Sequence, residues 1–141
     1  MKIIALKGPA NSGKTYTLNT AYTLLLNAGY VQVRGYFTQA VVYNFLGEKV
    51  YGSLDFTDIL MHGEKKTGIT TGTKNELAAT LELFQKAGCD TVICACHDSD
   101  EDINTIESYG VPVFIEKTPQ DTVSLKRIND FTFAKKLVEL V

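Results

Sequence analysis

A lysine and a threonine end a short glycine-containing segment near the amino terminus, and their types and spacing could bind phosphate. The segment Gly8-Pro-Ala-Asn-Ser-Gly-Lys-Thr15 fits the pattern G-x-x-x-x-G-K-[ST]. In such a loop the backbone N–H groups and the start of the following helix converge on an anion, which the backbone approaches closely at glycine because no Cβ intervenes. Lys14 would bring positive charge to the terminal phosphates, and the Thr15 hydroxyl is a ligand for Mg²⁺.

A strand before this segment and a helix after it would position it. Residues Lys2 to Lys7 form a short apolar run, which is typical of a buried parallel strand. From Lys14 to Asn27 apolar residues recur at helical spacing, and Gly29 ends the pattern. The recurring residues are Leu18, Tyr22, Leu25 and Ala28.

The segment resembles the Walker A motif of the P-loop NTPase superfamily over all of Gly8 to Thr15. If the segment were only a glycine turn at the start of a helix, there would be no reason for the second glycine, the lysine and the threonine to occupy these positions. The resemblance implies a nucleoside triphosphate ligand, Mg²⁺ as cofactor with Thr15 as one ligand, and Lys14 as the residue that stabilises the transferred phosphoryl group. The nucleotide-binding residues that it implies are Gly8, Pro9, Ala10, Asn11, Ser12, Gly13, Lys14, Thr15 and Tyr16.

Strand-forming residues dominate the next part of the chain, from Tyr30 to Thr71. The turn-like sequences LGEK and HGEK interrupt them, each with a glycine among charged residues. This pattern predicts one or two antiparallel hairpins in an excursion over about residues 30–72.

Strands and helices alternate in the rest of the chain. A T-x-x-E capping box at Thr73 and Glu76 begins a helix that Gly88 ends, the apolar run TVICAC follows, and Ser99 begins a shorter helix that Gly110 ends. The strand VPVFIEK and a last helix follow, and the apolar side of this helix is predicted from Phe131, Ala134, Leu137, Val138 and Val141. The alternation predicts a single α/β domain over residues 1–141, a three-layer sandwich with a mostly parallel, P-loop NTPase-like sheet and the hairpin excursion.

A second acidic residue is expected to bind the metal from the end of a neighbouring strand. Asp98 follows TVICAC by one residue, and we predict that it binds Mg²⁺ and positions the attacking water, although His97 interrupts a regular Walker B pattern. Three rivals lie nearby in the sequence. Asp100 is suited to begin the next helix, Asp90 precedes the strand and so belongs to the opposite edge of the sheet, and Glu76 has helix capping as its other role.

The base of the nucleotide is predicted to be adenine by default. The sequence EKTPQD follows the last strand, where GTPases of the resembled superfamily carry N-K-x-D to recognise guanine, but Glu116 and Pro119 replace the asparagine and the aspartate. Arg34 and Arg127 are the only arginines. Arg127 either lies over a base or phosphate or, as is commoner for a charged helix residue, faces solvent.

Three functions are compatible with such a site. The first is Mg²⁺-dependent binding and hydrolysis of ATP or another nucleoside triphosphate. The second is a small-molecule or nucleotide kinase, in which Asp55 and Asp58 of the sequence DFTD would hold an acceptor hydroxyl. The third is a non-catalytic module whose bound nucleotide controls a protein partner through residues 30–72, a region that could also join copies of the chain into a homo-oligomer.

Composition narrows the partners and the compartment. The chain has 14 basic and 16 acidic residues, so nothing in its charge supports nucleic-acid binding. No apolar stretch approaches the roughly 20 residues that span a bilayer, and a signal-peptide pattern is missing, which predicts a cytoplasmic protein without a membrane partner. Cys89, Cys94 and Cys96 are predicted to be reduced, buried thiols, and strand alternation directs His97 away from the last two, which argues against a metal site in the sequence CACH.

Overall fold

The fold is α/β and combines four helices with a mixed sheet of seven strands and a separate two-stranded sheet. These counts refer to residues 1–9, 12–39, 42–43, 45–50, 55–72, 75–118 and 123–141, which the computed structural model describes. The helices are α1 (Lys14–Asn27), α2 (Asn75–Lys86), α3 (Asp100–Tyr109) and α4 (Val123–Leu140). The strands are β1 (Lys2–Lys7), β2 (Val31–Gln32), β3 (Thr38–Gln39), β4 (Val42–Tyr43), β5 (Lys49–Val50), β6 (Phe56–His62), β7 (Lys65–Thr70), β8 (Thr91–Cys96) and β9 (Val111–Glu116).

The strand that precedes the phosphate-binding pattern lies inside the main sheet. The order of this sheet is β2-β6-β7-β8-β1-β9, and β3 also pairs with β6. Strands β7, β8, β1 and β9 are parallel to one another, whereas β6 is antiparallel to β7 and also to β2 and β3. The sheet is therefore mixed, and the prediction of a mostly parallel sheet describes only the part from β7 to β9.

Parallel pairing brings the ends of three strands to one edge of the sheet. Lys7, the last residue of β1, pairs with Cys96 of β8 and with Glu116 of β9. The segments that follow these three strands therefore begin side by side. In open α/β sheets this is the edge at which ligands bind.

Both predicted hairpin turns are confirmed. Strands β4 and β5 pair across the LGEK sequence, and β6 and β7 pair across HGEK. Gly47 and Gly63 have φ angles of 78° and 63° in these turns, a region that glycine enters without steric cost. Because β2, β3, β6 and β7 all join the main sheet, most of the strand residues that the structure describes between 30 and 72 extend that sheet, whereas β4 and β5 pair apart from it.

Two hydrophobic clusters line the opposite faces of the sheet. Ile4 and Leu6 of β1 belong to one cluster with residues of α1 and α4, while Ile3 and Ala5 belong to the other with residues of α2 and α3. All four side chains are fully buried, as the alternation along a covered strand requires. The predicted apolar side of α4 is buried at Ala134 and Leu137, but the prediction is wrong for Phe131, which is 48% exposed.

The cysteines are free and buried, as predicted. Cys94 and Cys96 lie in the same hydrophobic cluster, and burial raises the pKa of the Cys89 thiol and that of the Cys96 thiol to about 11. A thiol with a raised pKa carries little of the nucleophilic thiolate near neutral pH, so these residues pack as small apolar groups. In the part of the chain that the structure describes, none of the helices combines the length and the apolar character that a bilayer crossing requires.

Candidate functional site

The phosphate-binding pattern connects β1 to α1, the local context that the sequence predicted. Gly8 continues the strand ladder, since its N–H donates to the Cys96 carbonyl at 3.1 Å. Gly13 is the residue before α1 and has a left-handed backbone with a φ of 87°, and the helix begins at Lys14. Ala10 and Asn11, two of the predicted nucleotide-binding residues, lie outside the described residues.

The first turn of α1 carries neither a side-chain cap from the described residues nor an acidic side chain. Its free N–H groups and the helix dipole therefore make this end electropositive. Ser12 is 4% exposed, and its hydroxyl has no hydrogen-bond partner among the described residues. Tyr16 is 58% exposed on the same turn. A buried hydroxyl and a set of uncapped N–H groups are donors suited to an anion.

Lys14 lies against the backbone of the loop. Its Nζ donates to the carbonyl oxygens of Gly8 and Pro9, both at 2.7 Å, and the residue is 7% exposed. Burial lowers the pKa of Lys14, and the nearby positive charge of Lys117 lowers it further. Carbonyl oxygens are weaker partners for an ammonium group than phosphate oxygens, which are charged. The Lys14 ammonium group could therefore exchange the two loop carbonyls for the oxygens of a bound phosphate.

Thr15 contacts a carboxylate from another part of the chain. Its hydroxyl donates to Asp55 Oδ1 at 3.4 Å, and Asp55 is exposed immediately before β6. Because β6 is antiparallel to β7, its first residues reach the edge at which the parallel strands end. From the sequence, Asp55 is predicted to hold an acceptor hydroxyl, and the metal carboxylate is expected after a parallel strand.

Asp98 lies at the predicted edge, beyond the end of β8. Its carboxylate is 3.7 Å from Lys7 Nζ, and its side chain is 71% exposed. Lys7 also forms an ion pair with Glu116 at 3.3 Å, and the hydrogen bond to Glu116 is the main reason why the pKa of Lys7 is raised. The contact described for the Asp98 carboxylate is thus with Lys7. The carboxylate that accepts a hydrogen bond from Thr15 is that of Asp55.

The three rivals of Asp98 have other surroundings. Asp90 accepts a hydrogen bond from the Lys66 N–H at 2.9 Å and lies at the opposite edge, as predicted. Asp100 is the first residue of α3, also as predicted, and Ser99 caps this helix by accepting from the Asp102 N–H at 3.3 Å. Glu76 is exposed in the first turn of α2, and its predicted capping partner, Thr73, lies outside the described residues.

Asp58, the other carboxylate predicted to hold an acceptor hydroxyl, is fully buried. Its carboxylate accepts from the Tyr22 hydroxyl at 2.7 Å, from Gln32 Nε2 at 2.9 Å and from the Ile59 N–H at 2.8 Å. Burial and the bond to Asp58 raise the pKa of Tyr22 to about 12. These hydrogen bonds join α1 to β6 and β2, so Asp58 helps to hold the elements around the site together.

A pH-dependent loss of stability is expected from Tyr22. An unfolded tyrosine loses its proton near the ordinary pKa of 10.0, whereas folded Tyr22 keeps it until about pH 12. The difference between these two pKa values stabilises the folded state. This stabilisation is complete below pH 10 and is lost as the pH rises to 12. Urea unfolding of the parent and of Tyr22→Phe at several pH values measures it, with Tyr16→Phe as the control at an exposed tyrosine. A parent-minus-variant difference that stays constant from pH 10 to 12 would contradict the assignment.

Two residues at the loop were missed by the sequence argument. Lys117 follows β9 and Asp130 lies in α4, and they form an ion pair of 2.6 Å beside Gly13. The only sequence signal for Lys117 was its place after a strand that ends at the site edge. Arg127, also in α4, is exposed, in agreement with the commoner of its two predicted roles. Among the described residues, no group of three or more His, Cys, Asp or Glu residues could hold a metal.

No protein-family model, curated protein sequence or solved structure matches the chain when it is compared with known proteins.

Proposed function

We propose that this chain is a P-loop NTPase-like three-layer α/β protein that binds ATP, or another nucleoside triphosphate, with Mg²⁺ and hydrolyses it. The observation that carries the proposal is the placement of the Gly8 to Thr15 segment between β1 and α1, at the edge where β8 and β9 also end. The uncapped start of α1 and the unpartnered Ser12 hydroxyl support an anion as the ligand. The clusters on both faces of the sheet support the three-layer arrangement.

Oxygen ligands for Mg²⁺ are present at the loop. Thr15 Oγ1 and Asp55 Oδ1 are 3.4 Å apart, close enough for both to bind one ion, and hydroxyl and carboxylate oxygens suit this metal. Asp98, predicted from the sequence, is the second candidate for the carboxylate. Bound there, Mg²⁺ would neutralise charge on the phosphates.

The other groups that would bind the phosphates and assist hydrolysis lie in the loop and at the adjacent edge of the sheet. Lys14 would leave the Gly8 and Pro9 carbonyls and stabilise negative charge on the terminal phosphate. The N–H groups at the start of α1 would hold the other phosphate oxygens in place. The exposed carboxylate of Asp98 would orient the attacking water from the neighbouring strand end.

Calorimetry of the parent with ATP, in MgCl₂ and in a chelator, tests the binding half of the proposal. We expect saturable binding that is tighter with Mg²⁺, followed by release of inorganic phosphate in a turnover assay. Binding of neither ATP nor GTP under either condition would refute the proposal. Binding without release of phosphate would refute hydrolysis alone.

A kinase is the second candidate, and the position of Asp55 favours it. An exposed carboxylate beside Thr15 could orient an acceptor hydroxyl near the terminal phosphate. In that case labelled phosphate from ATP would appear on an added small alcohol or nucleotide faster than in solution. Equal rates of phosphate release with and without such acceptors would exclude this candidate.

A regulatory module with a protein partner is the third candidate, and exposed apolar residues in the 30–72 region favour it. Phe37, Phe45 and Leu46 are 47%, 97% and 67% exposed. Apolar side chains this exposed near a site are typical of contact surfaces for another chain. Nucleotide binding without turnover, combined with self-association in sedimentation experiments, would favour this module over the hydrolase.

Thr15→Ala is expected to weaken ATP binding mainly when Mg²⁺ is present, because the variant loses a metal ligand but keeps the backbone donors. We expect about a tenfold loss with Mg²⁺ and little change in a chelator. Thr15→Ser keeps the hydroxyl and serves as the control. An equal loss in both conditions would show that Thr15 does not act through the metal.

A further inference from the structure

A buried ion pair lies directly beside the phosphate-binding pattern. Lys117 Nζ and Asp130 Oδ1 are 2.6 Å apart, and their side chains are 2% and 14% exposed. The Lys117 N–H donates to the Lys7 carbonyl at 2.7 Å, so the chain after β9 is held next to the end of β1. Burial removes water from both charged groups of the pair. Such a pair often adds little to stability compared with apolar residues at the same positions. Its place in the fold points to another role.

Each member of the pair is linked to a carbonyl at the end of the loop. Lys117 Nζ donates to the Ser12 carbonyl. The Thr17 hydroxyl lies between the Gly13 carbonyl, at 2.9 Å, and Asp130 Oδ1, at 3.3 Å, and shares its single proton between these two acceptors. Two successive peptide groups, those after Ser12 and after Gly13, are thereby fixed.

Fixing these carbonyls also fixes the N–H groups on the other side of the same peptides. In a trans peptide the C=O and N–H bonds point in opposite directions. The Gly13 N–H is therefore directed away from Lys117 and the Lys14 N–H away from Thr17, and both belong to the proposed phosphate-binding set.

The two glycines of the pattern are packed against the same pair. A Cβ on Gly8 would lie 2.8 Å from the Lys117 carbonyl oxygen, and a Cβ on Gly13 would lie 2.7 Å from Asp130 Oδ1. Neither distance is compatible with a real side chain, and the left-handed φ of Gly13 adds a second restriction. Gly8 is thus packed against the backbone of Lys117 and Gly13 against the side chain of Asp130, so the loop is in direct contact with both residues of the pair.

We infer that Lys117 and Asp130 are positioning residues that set the phosphate affinity of the loop by fixing the Ser12–Gly13 and Gly13–Lys14 peptides. This inference rests on the proposed function. Since the described contacts of the pair join it to the loop, its loss weakens binding of inorganic tripolyphosphate and of ATP by the same factor.

Calorimetry with tripolyphosphate and with ATP, both in MgCl₂, tests the inference on Lys117→Met, Asp130→Leu and the double variant. We expect about a tenfold or greater loss of affinity for both ligands in each variant, the size of a lost hydrogen bond to a charged group. Lys86→Met removes one member of the exposed pair between Glu82 and Lys86, 3.2 Å apart, and is the matched control. It should bind like the parent.

The double variant separates positioning from a purely structural role. Asp130→Leu alone leaves the Lys117 charge buried without a partner, so its urea midpoint should fall strongly. Removing both charges should bring the midpoint back towards that of the parent, while tripolyphosphate affinity stays low because methionine cannot donate to the Ser12 carbonyl. Recovery of affinity together with stability would overturn the inference.

Failure of the inference and failure of the proposed function give different results. If the parent binds ATP and tripolyphosphate but the three variants bind them equally well, only the inference is wrong. If the parent binds neither ligand, both are wrong.

Discussion

Replacing Lys14 with alanine is expected to lower the affinity for ATP by about 100-fold or more, the largest effect of any single substitution that we predict. The parent ammonium group has weak partners, the Gly8 and Pro9 carbonyls, and a charged phosphate oxygen would replace them. Alanine provides no cation there. Calorimetry with ATP in MgCl₂ measures the loss.

The same substitution should leave the fold intact. Lys14 is buried at the sheet edge and is not part of either hydrophobic cluster. Its removal loses two hydrogen bonds from a charged group but also relieves the desolvation that lowers its pKa, so the two effects on the free energy of unfolding oppose each other. Lys86→Ala, at an exposed lysine, is the control for both measurements. Equal ATP affinity in Lys14→Ala and the parent would refute the role of this lysine.

The elements around the loop were predictable because their signals are local. Strand β1 is a continuous apolar run, and α1 has the bounds Lys14–Asn27 that its apolar spacing and Gly29 indicated. The hairpin turns at Gly47 and Gly63 were likewise indicated by glycine among charged residues. Each of these signals lies within a few residues of the structure that it describes.

The residues that hold the loop in place were not predictable, because their contacts join distant parts of the chain. Lys117 and Asp130 reach the loop from β9 and α4, and nothing in their local sequence indicates an ion pair. The rule that sites follow parallel strands also gave no reason to expect Asp55 beside Thr15, because an antiparallel strand begins where its parallel neighbours end. Phe131 matched the apolar spacing of α4 but is exposed, because spacing alone does not say how far the covered face extends.

The second large effect is expected at Asp55, the carboxylate that we propose binds Mg²⁺ together with Thr15. We expect Asp55→Asn to weaken ATP binding in MgCl₂ by about tenfold or more, since an amide is a poorer ligand for Mg²⁺ than a carboxylate. In a chelator the variant and the parent should bind ATP alike, because Asp55 carries no positive charge or donor for the phosphates. The 3.4 Å contact with Thr15 Oγ1 is the basis for choosing this residue.

Asp98→Asn is the decisive comparison, because the sequence argument placed the metal carboxylate there. Its carboxylate is 71% exposed and lies 3.7 Å from Lys7 Nζ, whereas the carboxylate that accepts a hydrogen bond from Thr15 is that of Asp55. We therefore expect Mg²⁺-dependent ATP affinity close to that of the parent, with any loss confined to the rate of phosphate release. Asp100→Asn, at the start of α3, is the control for removing a negative charge near this edge. If Asp98→Asn loses the Mg²⁺-dependent affinity while Asp55→Asn keeps it, the metal carboxylate follows β8, and the contact between Asp55 and Thr15 has no part in metal binding.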